Sequence, residues 1–146
     1  HYDADVALEP GSPAAEYKRH LLEAVLGRWR EAAAAARVPV LVVVVPPAID
    51  ACDAFDVKVD RAAHPGYDPS RLSRVAADAA RRQGLPVLEL YSPFRAEGGD
   101  GLYQRHDDDH WNSRGQDLAA RLAVERLLAE GWLAGASPSA GPGDAR

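Results

Sequence analysis

The sequence predicts an α/β domain with a parallel sheet and helices on both faces, and three observations carry that prediction. Val40-Leu41-Val42-Val43-Val44-Val45 is an unbroken apolar, mostly β-branched run, which suits a strand covered on both faces. Val87, Leu88 and Leu90 mark a second short run between Pro86 and Tyr91. Amphipathic helical patterns precede, separate and follow the two runs. Strands alternating with helices imply right-handed crossovers and parallel pairing.

Taken in order, residues 1–11 are polar and read as irregular. Ser12-Pro13 is an N-cap followed by proline at the first helical position. From Ala14 to Arg37 the apolar positions Leu22, Val25, Leu26, Trp29, Ala33 and Ala36 recur at helical spacing, which predicts a buried stripe. The first strand follows, and Pro46-Pro47 stops it. Residues 48–67 read as a long loop with a short helix and a turn at Pro65-Gly66. Asp68-Pro69 opens the next helix by the same cap-plus-proline logic. Leu72, Val75, Ala76, Ala79 and Ala80 face inward along it, Ser73 faces outward, and Gly84 ends it. After the second strand, Ser92 to Asp100 reads as a loop, with Gly98-Gly99 and Gly101 supplying flexibility. The last helix runs from about Ser113 to Glu130, with Leu118, Leu122, Leu127 and Leu128 as its apolar face. Gly131 is placed to cap it and Trp132 to fold back. Residues 136–146 are rich in Gly, Pro and Ser and read as a disordered tail. Two strands are few against the roughly five usual for such sheets, so further strands are expected upstream of His1 or in a partner chain.

Composition sets the outer bounds. A chain of 146 residues, 47% apolar, has room for one domain with a core but not for two ordinary ones. Its 17 Lys and Arg against 22 Asp and Glu leave a net charge of −5, spread along the sequence with no basic stripe. That argues against nucleic acid or an anionic membrane surface as partner. The longest apolar run, Val38 to Ala48, falls far short of the roughly 20 residues needed to span a bilayer, so no membrane-spanning segment is expected. Cys52 stands alone, which excludes an internal disulfide and any cysteine-based zinc site. No cofactor is implied. Localisation is not readable from the residues and leans at most to an extracytoplasmic setting.

The stretch with chemical content is Leu102 to Ala120, LYQRHDDDHWNSRGQDLAA. It lies in the loop after the second strand, and in open α/β sheets ligands bind beyond the carboxyl ends of the strands. Asn112 or Ser113 would cap the last helix, and Ser113 with Gln116 fits a capping box. His110 then sits at the positive end of the helix dipole, which disfavours imidazolium. A neighbouring carboxylate offsets this, orients the ring and stabilises the charge formed when the histidine takes a proton. Such a pair suits a general base for a serine or water nucleophile, although three aspartates also serve to solvate a loop and favour a helix N-terminus. A metal box of His106 and His110 needs both on one helix face. Three aspartates before a cap are poor helix, and closed sites generally need about four ligands, so no metal is expected. Ser12, Ser70 and Ser113 look like caps, and Ser92 stands beside Pro93. No serine occupies the strand–turn–helix context that exposes a nucleophile.

With these residues laid out, DDDHWNSRGQDLAA resembles the C-terminal catalytic block of the SGNH/GDSL hydrolase superfamily. The His-Trp-Asn…Gly form looks most like bacterial branches acting on acyl or acetyl esters, often of carbohydrates, and like the related alginate acetyltransferase proteins. VLVVVVPPAID and GLPVLELYSPF look like that family's later strands and the loops after them, so the resemblance covers about 38–133. It implies a three-layer flavodoxin-like (SGNH hydrolase-type) α/β fold, incomplete at the N-terminus, to which residues 1–135 contribute the C-terminal part. It also implies that His110 is the catalytic base of a Ser-His-Asp triad. The acidic partner is Asp108 by the Asp-x-His spacing or Asp107 by the Asp-x-x-His spacing, with Asp108 favoured. Asn112 and Gly115 look structural. The family's Gly-Asp-Ser nucleophile motif, oxyanion-hole glycine and Gly-x-Asn-Asp asparagine are absent from this chain. The resemblance therefore implies an ester hydrolase whose serine lies in a missing N-terminal half of the same domain, with a small-molecule or carbohydrate ester as substrate and little activity in this chain alone. Two alternatives stand beside it: a catalytically silent SGNH-like domain that binds carbohydrate or protein, and an O-acyltransferase.

Overall fold

In the computed structural model the described residues are 3–104 and 108–133. Helix α1 (Ala4–Leu8) occupies the stretch expected to be irregular. Its five residues are too few to show a period, and tertiary contacts hold it instead. Val6 and Ala7 are buried, and Lys18 reaches back to Asp3 at 2.9 Å and Asp5 at 2.5 Å. Helix α2 (Pro13–Ala36) begins as expected, with the Ser12 hydroxyl accepting the Ala15 N–H at 3.1 Å. It ends at Arg37, which adopts the left-handed conformation with φ 56°.

Strands β1 (Val42–Val44) and β2 (Val87–Glu89) pair in parallel, with Val42 opposite Val87 and Val43 opposite Leu88. Helix α4 (Arg71–Arg82) forms the crossover, after a one-turn helix α3 (Ala48–Ala51) that follows β1. Gly84, with φ 71°, reverses the chain after α4, and the Leu85 N–H returns to the Ala80 carbonyl at 3.1 Å. On one face of the pair, Val42 and Val87 pack with Leu26 of α2 and Ala79 and Ala80 of α4. On the other, Leu88 and Leu90 pack with Ala48 and Ala51 of α3, Phe94 of α5 (Tyr91–Ala96) and Leu118 of α6 (Ser113–Ala129). Helices thus cover both faces of a small parallel sheet of two strands among the described residues. The end of α6 also follows its sequence signal: Gly131 has φ 73°, and the Trp132 N–H folds back to the Leu127 carbonyl at 3.0 Å.

Four local expectations need correction. Residues 92–100 are not a simple loop: they contain α5 and the 3₁₀ turn Gly99–Gly101. Helix α5 forms because the Glu89 carboxylate accepts the Tyr91 N–H at 2.7 Å and Phe94 buries completely. Ser73 is buried rather than outward, on the side of α4 turned toward β1 and α2. Helix α4 starts at Arg71, two residues later than expected, after a turn in which Asp68 accepts the Ser70 N–H and hydroxyl with its carboxylate and the Arg71 N–H with its carbonyl. Finally, Val25 and Trp29 are 40% and 57% exposed, since α4 covers only the Leu22 and Leu26 side of α2. The tail expected at 136–146 lies outside the described residues.

Phe94 joins β2 to the segment that carries His110 and has no solvent exposure. Phe94→Ala should cost about 3–5 kcal/mol in chemical denaturation, the range for a fully buried phenylalanine. A loss below about 1 kcal/mol would show that this cluster is not the packing centre assumed here.

Candidate functional site

The site is built on a backbone clasp. Tyr103 and Trp111 form an isolated antiparallel bridge. Around it the Gln104 N–H donates to the His110 carbonyl and the Asn112 N–H to the Leu102 carbonyl, both at 2.8 Å. The loop between them is closed at its base, and His110 sits at its exit. Asn112, not Ser113, is the cap of α6. Its Oδ1 accepts the N–H groups of Arg114 and Gly115 at 2.9 and 3.2 Å. Its Nδ2 donates to the carbonyls of Tyr103 and Gly101 at 2.8 and 3.1 Å. One amide therefore satisfies two of the orphan donors of the helix and ties the helix start to the 101–103 segment of the clasp. Ser113 is the first helical residue, so the Ser113–Gln116 box does not form the cap. Gly115 is needed for the approach of α6: a Cβ there would stand 2.5 Å from the Leu102 carbonyl oxygen.

Aromatic packing ties the clasp to the sheet. The Phe94 ring lies 5.9 Å from that of Tyr103, edge-on, and 6.3 Å from that of Trp111. The Tyr103 phenol donates to the Pro46 carbonyl at 2.6 Å, joining the clasp to the turn that ends β1. Burial pushes that phenol well above its ordinary pKa, so it stays a neutral donor. The candidate histidine is thus positioned from the carboxyl ends of both strands, as the topology requires.

At the mouth of the loop, Asp108 Oδ1 lies 2.7 Å from His110 Nδ1 and also accepts the His110 backbone N–H at 3.0 Å. Asp109 Oδ1 is 3.5 Å from the same ring nitrogen. The Asp108 hydrogen bond, followed by the charges of Asp108 and Asp109, raises the His110 pKa above its ordinary value. The backbone and ring donors of His110 in turn hold the Asp108 carboxyl below the usual range. With Nδ1 engaged, Nε2 is the nitrogen left to exchange a proton with a reacting group. The pair lies at the surface, and the His110 side chain is 79% exposed. A cleft of about 600 Å³ opens beside it, lined by Asp100, Tyr103, Gln104, Asp108, Asn112 and Arg114.

Asp107 and His106 lie outside the described residues, so the pairing seen is that of Asp108. The ligand atoms of Asp108, Asp109 and His110 lie within 4.8 Å of one another. No fourth His, Cys or carboxylate joins them among the described residues, and the His110 Nδ1 is engaged by the Asp108 carboxylate. Of the described serines, Ser12 caps α2 and Ser70 bonds Asp68 and Arg74. Ser73 is buried, and none lines the cleft beside Asp108. Sequence reasoning missed Tyr103 and the second end of Asn112. The signal for the first was a lone tyrosine spaced eight residues before Trp111, and no local pattern announces such a bridge.

A protein-family model described as an SGNH hydrolase-like domain, acetyltransferase AlgX, matches residues 7–140. Comparison with curated proteins and with solved structures gives no significant match.

Because a raised histidine pKa favours the charged pair, the Asp108–His110 attraction is full below the ordinary histidine value and fades as pH rises through the raised one. An NMR titration should place the His110 midpoint above about 6.5, and Asp108→Asn should lower it toward that value. A midpoint unmoved by Asp108→Asn would contradict the pairing. Asn112→Ala should cost about 0.5–2 kcal/mol of stability from the lost cap alone. It should also broaden the His110 backbone resonance as the clasp loosens, and a sharp, unshifted resonance would count against the two-ended role.

Proposed function

Because the chain belongs to the family of SGNH hydrolase-like domains described for acetyltransferase AlgX, we propose that it supplies the acid–base half of a serine acyl-transfer site. The observation that carries this reading is the 2.7 Å contact of Asp108 with His110 Nδ1 at the N-terminus of α6, beside an open cleft. In the proposed reaction His110 Nε2 takes the proton of a serine hydroxyl supplied from outside the described residues. The serine oxygen bonds to the ester carbonyl carbon, and the tetrahedral intermediate collapses with loss of the alcohol, which receives the proton from His110. Asp108 stabilises the imidazolium between these two transfers. A second hydroxyl or a water then attacks the acyl-enzyme, with His110 again as base.

The family description favours an acetyl group and a hydroxyl acceptor, which makes O-acetyl transfer the first reading and ester hydrolysis the second. Both run through the same two residues. A carbohydrate ester fits the polar lining of the cleft, where Asp100, Gln104, Asn112 and Arg114 offer acceptors and donors to hydroxyl groups. In this reading β1 and β2 are two strands of a wider flavodoxin-like three-layer sheet, and residues 1–135 form one part of that domain.

The test is turnover of an aryl acetate by the complete gene product. His110→Ala should lower kcat at least about 100-fold, the low end for loss of a general acid–base group. Asp108→Asn should also lower it and shift the acid limb of the pH profile downward, since the base then deprotonates at lower pH. Turnover unchanged in His110→Ala would overturn the reading. His110-dependent hydrolysis by residues 1–146 alone would overturn the part that brings the nucleophile from elsewhere.

A further inference from the structure

A second cavity, of about 320 Å³, shares no lining residue with the cleft beside Asp108. One wall is the end of α3, with Ile49, Asp50 and Asp53, and another is the start of α5, with Tyr91 and Arg95. The third is the connection from α3 to α4, residues 52–70, which contains no helix or strand. Ordered connections longer than about 12–15 residues without secondary structure are uncommon in compact domains and are usually functional. Because α3 follows β1 and α5 follows β2, the cavity stands where an open α/β sheet receives ligands.

The cavity holds more donors than its own acceptors use. Lys58, Arg61 and Arg95 line it, against the carboxylates of Asp50 and Asp53. Both carboxylates are engaged. Asp53 pairs with Arg95 at 2.9 Å, and Asp50, 5% exposed, accepts the Tyr67 phenol at 2.5 Å. The Lys58 ammonium donates to the Asp53 backbone carbonyl at 2.7 Å. Neither Lys58 nor Arg61 forms an ion pair among the described residues.

Arg61 is nevertheless held in place. Its guanidinium lies 5.2 Å from the centre of the Tyr67 ring. A guanidinium stacked on an aromatic face keeps its edge donors available and loses less freedom when they are used. The stack is itself anchored, since the buried Asp50 holds the Tyr67 phenol. Asp50, Tyr67 and Arg61 therefore form a pile from the buried floor of the cavity to its exposed rim, with a positioned cation at the top.

We propose that this cavity binds a phosphate group. The arrangement of donors favours phosphate over carboxylate. A carboxylate offers two oxygens in one plane, and a single guanidinium fork satisfies it. Here the donors come from two walls, Lys58 and Arg61 from the 52–70 connection and Tyr91 and Arg95 from α5. Such an array suits the three peripheral oxygens of a tetrahedral phosphate. Burial raises the Tyr91 pKa, so its phenol stays a neutral donor. The net charge of −5 and the lack of a basic stripe set nucleic acid aside, which leaves a small phosphate as the ligand. Ile49, Val59 and Pro69 add apolar surface for an organic carrier of that phosphate. The site stands independently of the acyl-transfer reading.

The experiment is an NMR titration of the complete gene product with phenyl phosphate, inorganic phosphate and benzoate. It is run in about 0.15 M sodium chloride, which screens loose attraction to exposed cations. Phenyl phosphate should bind with Kd below about 1 mM and shift the Arg61 and Tyr91 resonances. Arg61→Ala should weaken it at least about tenfold, as expected for a lost charged hydrogen bond, with the His110 titration unchanged. Arg61→Lys should weaken it too, because the charge remains while the fork and the stack are lost. Inorganic phosphate binding at least as tightly as phenyl phosphate would assign the site to the free ion, and weaker binding would assign it to an organic phosphate. Both support a phosphate site. Benzoate binding as tightly as phenyl phosphate would overturn the proposal. No binding at this salt, or binding unmoved by Arg61→Ala, would overturn it as well, and full affinity in Arg61→Lys would reduce the site to attraction by charge alone and overturn it too.

Discussion

The position of His110 depends on one side-chain amide. Asn112 caps α6 with its oxygen and holds the Gly101 and Tyr103 carbonyls with its nitrogen. Without those four bonds the Tyr103–Trp111 bridge would rest on its two backbone hydrogen bonds alone. With them, the backbone that carries the histidine is tied both to the start of α6 and to the 101–103 segment. Gly115 allows α6 to approach closely enough for this, and Phe94 packs both aromatics of the bridge against the end of β2. The tertiary fold thus delivers an acid–base pair through backbone geometry, while the pair's own contact is local.

That locality explains the electrostatics. Asp108 and His110 are two residues apart, and the carboxylate accepts both the backbone and the ring N–H of the same residue. Both side chains are largely exposed, so solvent screens their attraction and the pair adds little to stability. In the proposed function its role is orientation and tautomer choice. An exposed pair is also one that substrate or a further part of the domain must cover before its charge is used in a low-dielectric setting.

Much of the fold was legible in the sequence, and the reasons are physical. Helices α2, α4 and α6 carry long periodic patterns with caps or terminators at Ser12, Gly84 and Gly131, and local chemistry alone places such features. The two apolar runs predicted a parallel pair because neither alternates. What escaped was set by tertiary contact. Helix α1 exists because Lys18 and the core hold it, α5 because Phe94 buries, and Ser73 faces inward because of how α4 docks. At the site, His110 and its helix were readable from DDDHWN, whereas Tyr103 and the nitrogen end of Asn112 belong to a bridge between segments. Val25 and Trp29 were expected to be covered because periodicity reports which residues are apolar, not which neighbour is present.

The central claim is that Asp108 fixes His110 as a base with its proton on Nδ1 and its lone pair on Nε2. Ring nitrogen chemical shifts of His110, measured well above its midpoint, read this directly. The account predicts a neutral ring protonated at Nδ1, with Nε2 showing the shift of an unprotonated nitrogen, and loss of that preference in Asp108→Asn. A neutral His110 protonated mainly at Nε2 would contradict it, because the nitrogen facing substrate would then hold a proton where the mechanism needs a lone pair.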